Sequence, residues 1–155
     1  MKTVARVLVW SSLLFVLGSG AYAAAQAVDP AEADGVIFDR QQIMKRLDKD
    51  ADTLGRIVAG ELPADNLAAT AHAIAQGAKD SADAFKTKAP GGRSKPEVWS
   101  NSADFSKRMD AFVRSSDAMA KVADTGDVVA VTSVMGDALP CKECHDTYRE
   151  PKKSP

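Results

Sequence analysis

After residue 25, apolar residues recur at steps of three and four in four separate segments. Nowhere do they alternate with polar residues over the roughly four to eight positions that a half-buried strand needs. The one Asp-Gly pair there, Asp34-Gly35, lacks the alternating apolar flanks of a hairpin signal. Because an α-helix turns once in about 3.6 residues, such spacing gathers apolar side chains into one stripe, and each stripe must be covered by another element. The chain is therefore expected to fold as an all-α protein, an antiparallel four-helix bundle.

The first stripe, over Ala33 to Ala59, holds Ile37, Met44, Leu47, Ala51, Leu54 and Val58. Gly60 follows as a stop. The second helix is predicted to open at Pro63 and to carry Leu67, Ala71, Ile74, Ala78 and Phe85. Ser102 is the expected cap of the third, whose stripe is Phe105, Met109, Phe112, Ser116, Met119 and Ala123. The fourth, from Asp127 to Arg149, carries Val131, Met135, Ala138, Cys141, His145 and Tyr148. Pro140 lies inside it, lacks an N–H and clashes with the carbonyl of Gly136, so a break is predicted between Gly136 and Cys141. Short links join helices one and two and helices three and four, favouring antiparallel neighbours. Lys88 to Asn101 is a longer crossing segment with Trp99 as its expected hydrophobic plug.

Residues 1–25 stand apart. Lys2 and Arg6 precede an apolar run from Val7 to Val16, and small residues follow at Ala21 to Ala25. That order is a secretory signal peptide, and the run is too short for the roughly 20 residues of a spanning helix. The expected product is a periplasmic domain of residues 26–155 with no membrane insertion. The whole sequence sets 20 basic against 21 acidic residues, which leaves no cationic excess to hold a nucleic acid.

Both cysteines fall in one motif, C-K-E-C-H, at Cys141, Cys144 and His145. On a helix these positions share a face. Two thiols there can add across the vinyl groups of a haem while the adjacent imidazole reaches the iron, the arrangement of covalently attached haem c. A Cys141–Cys144 disulfide, a redox C-x-x-C and a zinc site compete with this reading. The redox motif usually follows a strand, and zinc lacks ligands, since His72 is the only other histidine and falls off the apolar stripe of its helix.

R-Q-Q-I-M-K at Arg40 to Lys45, P-E-V-W-S at Pro96 to Ser100, Phe105 and C-K-E-C-H-D-T-Y-R at Cys141 to Arg149 occur in this order along the chain. In these features it resembles the class II cytochromes c, the cytochrome c-prime family. The resemblance implies a four-helix bundle holding one haem c through Cys141 and Cys144, with His145 as proximal iron ligand. It points to Arg40 and Gln41 as neighbours of the haem propionates, and to Arg149 as part of the proximal pocket. Met44 stands where the low-spin branch of the family supplies a sixth ligand. The expected function is thus a non-enzymatic electron carrier with His/Met-ligated iron, serving redox partner proteins in the periplasm as a monomer or homodimer. The alternative is a five-coordinate protein that binds nitric oxide or carbon monoxide, with Met44 packing over the iron without ligating it.

Overall fold

The structure, a computed structural model, describes residues 28–152; the expected signal peptide lies outside them. Helix α1 runs from Pro30 to Val58, α2 from Leu67 to Ala84, α3 from Glu97 to Ser100, α4 from Ser102 to Ala123, α5 from Val128 to Ala138 and α6 from Cys141 to Tyr148. No strand occurs among the described residues, only an isolated antiparallel bridge between Ser94 and Arg149. The fold is the expected all-α bundle. Helix α2 packs between α1 and α4, and α5 packs on α4 and, more lightly, on α1. The four long helices α1, α2, α4 and α5 thereby enclose one core.

Local chemistry explains most of the boundaries. Asp29 caps α1 by accepting from the Ala31 amide at 2.9 Å, with Pro30 in the first turn, where its missing N–H costs nothing. Asp127 caps α5 by accepting from the amides of Val129 and Ala130 at 2.9 and 3.0 Å. Two sequence expectations need correcting. Pro63 is extended and followed by a 3-10 turn over Ala64–Asn66, so α2 begins at Leu67. Ser102 is already helical, and Asn101 occupies the cap position with no side-chain bond.

The core follows the predicted stripes along α2, α4 and α5, leaves Cys141 of the fourth stripe exposed, and rotates the stripe of α1. Leu67, Ala71, Ile74 and Ala78 of α2, Met119 and Ala123 of α4, and Val131 and Ala138 of α5 are all buried as the spacing predicts. On α1 the buried apolar residues are Ile43, Leu47, Leu54 and Ile57, while Met44 and Val58 are only half-buried. The inward face is thus turned by one residue from the predicted one, which leaves Met44 at its margin. Complete burial of side chains such as Leu54, Leu67, Ile74 and Met119 contributes about 1.5–3 kcal/mol each.

A second apolar cluster lies at the crossing segment and joins Val98, Phe105, Met109 and Tyr148 to the half-buried Phe85, Trp99 and Cys144. The crossing segment seats on α1 through Gly91 and Gly92, whose φ angles are +135° and +60°. A Cβ at either glycine would lie 2.9 Å from the Ile37 side chain. Only glycine satisfies both the backbone and the space there.

Candidate haem attachment site

The helix that carries C-K-E-C-H is separate from α5. Leu139 (φ −122°, ψ 64°) and Pro140 (φ −76°, ψ 40°) break the run where the proline predicts a break. Helix α6 then starts at Cys141, so both cysteines and His145 fall within its first five residues. Cys141 is exposed, while Cys144 and His145 are half-buried. Both cysteines are free thiols. Burial pushes each thiol above its ordinary pKa. Burial also lowers the pKa of His145, and the nearby cations Arg149 and Arg93 lower it further. These shifts favour the neutral thiol at both cysteines and the neutral imidazole at His145, the form in which histidine ligates a metal.

The competing readings of the motif find no support. The thiols are not bonded to each other, and no group of three or more His, Cys, Asp or Glu among the described residues could hold a metal ion. His72 is exposed and pairs with Asp124, Nε2 to Oδ1 at 2.8 Å, as a surface residue. His145 opens onto a cavity of about 360 Å³ that it lines with Arg93, Lys95, Asp146 and Arg149. Arg149 is thereby near the imidazole, as the helical spacing predicts.

Arg40 is 5% exposed, far more buried than a surface arginine. Its Nε donates to the Ala84 carbonyl at 3.1 Å, Nη1 to Ala89 at 2.7 Å and Nη2 to Thr87 at 2.5 Å. Burial lowers its pKa from the ordinary value. The guanidinium also lies 4.3 Å from the Phe85 ring centroid and 5.9 Å from that of Trp99. Arg40 thus ties α1 to the end of α2 and the start of the crossing segment, a role its sequence position does not reveal. Of its five N–H donors, three are used here and two remain for an acceptor. Gln41 is exposed beside the crossing segment, its Nε2 facing the Gly92 position.

Trp99, read from sequence as an apolar plug, does pack in the second cluster, but its Nε1 is buried with no hydrogen-bond partner. A buried N–H without an acceptor is costly in a finished interior. An unpartnered donor on Trp99, the spare donors of Arg40 and the free thiols on α6 fit the attachment of a large planar group that carries acceptors of its own. Met44 packs against the larger core cluster. Its formal rivals Met109 and Met119 are buried and Met135 half-buried, all as core residues.

Sequence reading missed how α6 is anchored. The Tyr148 hydroxyl donates to Asp104 Oδ2 at 2.5 Å, and the same oxygen accepts from Arg108 Nε at 2.7 Å. The four-residue spacing of Asp104 and Arg108 marks that pair in the sequence, but nothing local links it to Tyr148.

Residues 35–149 match the family described as Cytochrome C'. A cytochrome c' from Alcaligenes xylosoxydans xylosoxydans is 37% identical over 70 residues, which cover 44% of this chain and 55% of that protein. The chain thus spans about half the length of this curated relative. Among solved structures, the nitric oxide complex of a leucine-to-alanine variant of cytochrome c prime from Alcaligenes xylosoxidans is 27% identical at a TM-score of 0.72. That likeness covers 77% of this chain and 97% of the other. A carbon monoxide-bound leucine-to-glycine variant from the same organism also scores 0.72, at 27% identity and 78% and 98% coverage.

These findings overturn the expected His/Met electron carrier and specify no partner protein. A sixth protein ligand and a diatomic gas compete for one coordination position, and the two solved relatives just described hold nitric oxide and carbon monoxide. Nothing in these likenesses supports the low-spin branch, and Met44 packs against the core cluster. With a family match over most of its length and the attachment motif on its own short helix, the chain belongs to the cytochrome c' family, haem proteins with one covalently attached haem c.

Proposed function

We propose that this chain is a periplasmic mono-haem cytochrome c' whose five-coordinate iron binds nitric oxide or carbon monoxide. The observation that carries this reading is the likeness to gas-bound cytochrome c prime along nearly the whole of that protein. Bound haem supplies an iron with one open position for a diatomic ligand.

The chain's own residues do the rest. Cys141 and Cys144 would hold the porphyrin through thioethers, and His145 would offer its neutral imidazole to the iron. Met44, on the margin of the α1 stripe, would remain a packing residue and supply no ligand to the iron. The spare donors of Arg40 and the amide of Gln41 serve the propionates. Residues 1–25 direct export and are removed, leaving 26–155 as the mature domain.

Optical spectra of the holoprotein, oxidised and reduced, test the reading directly. The reduced protein is expected to show a broad high-spin spectrum that sharpens when carbon monoxide is added, and Met44→Ala is expected to leave the spin state unchanged. A sharp low-spin spectrum indifferent to the gas would sink the proposal.

A further inference from the structure

Helix α6 has only eight residues, follows a break and has no side-chain cap at its start. Its position must therefore be set from its other end. There the Lys95 amide donates to the Tyr148 carbonyl at 3.0 Å, the Glu150 amide to Arg93 at 2.8 Å, and Lys95 Nζ to the Asp146 carbonyl at 2.9 Å. These bonds fix α6 to the crossing segment. Its one side-chain hydrogen bond to a bundle helix is Tyr148 to Asp104, on the first turn of α4.

The surroundings make that bond specific. Tyr148 is 3% exposed, and its ring meets Phe105 edge-on at 5.1 Å between centroids. Phe105 meets Phe85 at 5.0 Å, and Phe85 carries the Arg40 guanidinium. Arg108 completes the arrangement by pairing with Asp104 from one turn along α4, with its guanidinium carbon 6.0 Å from the Tyr148 ring centroid. A phenol hydroxyl shared with an ionised carboxylate is about twice as strong as a neutral hydrogen bond. Tyr148 is three residues beyond His145 and four beyond Cys144, so it shares the helix side from which both are placed. A small roll or slide of so short a helix moves the imidazole with it.

We propose that Asp104 and Tyr148 form a latch that positions His145: by holding α6 at a fixed roll against α4, the bond sets the geometry of the proximal imidazole toward the haem iron. Tyr148 and Asp104 are positioning residues and touch neither iron nor gas. The inference rests on the proposed haem site, with His145 as iron ligand. The depressed pKa of Asp104 and the raised pKa of Tyr148 agree with a bond that persists through the neutral range.

The test uses Tyr148→Phe, which keeps the ring on Phe105 and removes only the hydroxyl, together with Asp104→Ala and the double variant, all as holoprotein. Two quantities are read: the haem midpoint potential, measurable whatever the coordination number, and the carbon monoxide dissociation rate. Both single variants are expected to shift the potential in one direction and to change dissociation several-fold, and the double variant is expected to match either single one. An unmoved potential in folded Tyr148→Phe would overturn the latch, as would shifts that simply add in the double variant. Should Asp104→Ala fail to fold, Tyr148→Phe alone decides the matter through the potential. The unsubstituted protein separates this result from failure of the gas-binding reading. If it ignores carbon monoxide, that reading falls, while the latch is still judged on potential.

Discussion

At the scale of single residues, some side chains take their chemistry from local spacing and others from distant surroundings. Cys141, Cys144 and His145 are legible in the sequence because their spacing alone gives them a common face. Arg40 is not: its burial and its three carbonyl partners come from Ala84, Thr87 and Ala89, which lie more than forty residues away. The same holds for Asp104, whose carboxyl is kept below its ordinary pKa first by the Tyr148 hydroxyl and then by Arg108. Tyr148 is pushed above its ordinary value first by burial and then by Asp104. A carboxyl with a depressed folded pKa adds stability that is present above its unfolded value and lost as pH falls through the folded one. A phenol with a raised folded pKa adds stability that is present below its unfolded value and lost as pH rises through the folded one. The contribution of the Asp104–Tyr148 pair is therefore expected to be level between about pH 5 and pH 9 and to fall on both sides, given unfolded values near 4 and 10. Tyr148→Phe should flatten the acid limb and remove the phenol's share of the alkaline one, as read from urea midpoints across that range.

At the scale of elements, the distance between two helices is set by one glycine. Gly77 of α2 faces Leu47 of α1, and a Cβ there would lie 2.7 Å from Leu47 Cδ2 and 2.8 Å from Cγ. The second atom is not a free side-chain end, so the helices must part or Leu47 must leave its rotamer. Overpacking of this kind costs about 1–3 kcal/mol, against about 1 kcal/mol gained by placing alanine for glycine inside a helix. Gly77→Ala is expected to destabilise the protein by about 1 kcal/mol net, as measured by chemical denaturation. Helix boundaries divide in the same way between near and distant causes. The break at Leu139–Pro140 is dictated locally by a missing N–H, and the structure has it. The missed start of α2 and the missed cap of α4 reflect Pro63 and Asn101 adopting conformations fixed by the turns that join packed helices. The one-residue rotation of the α1 stripe has a similar origin, since Ile43 and Met44 are both apolar and only the neighbouring helices choose between them.

At the scale of the whole molecule, the bundle is a scaffold that brings α1, the crossing segment and α6 to one end. A ligand that binds only the folded ferrous holoprotein must stabilise it. Because covalently attached haem stays on the unfolded chain, carbon monoxide is expected to raise the urea midpoint of the reduced protein only as far as the folded site binds it more tightly than the unfolded chain does. By itself the sequence determined the all-α class, the four long helices, the break before Cys141 and the attachment triad, because each follows from periodicity or from spacing within one turn. Only the tertiary structure decided that Met44 packs at the edge of the core, that Arg40 is buried against carbonyls and that Tyr148 is bound to Asp104. Those outcomes depend on contacts between residues far apart in the chain, where burial and partner geometry are properties of the assembled bundle and not of any one helix.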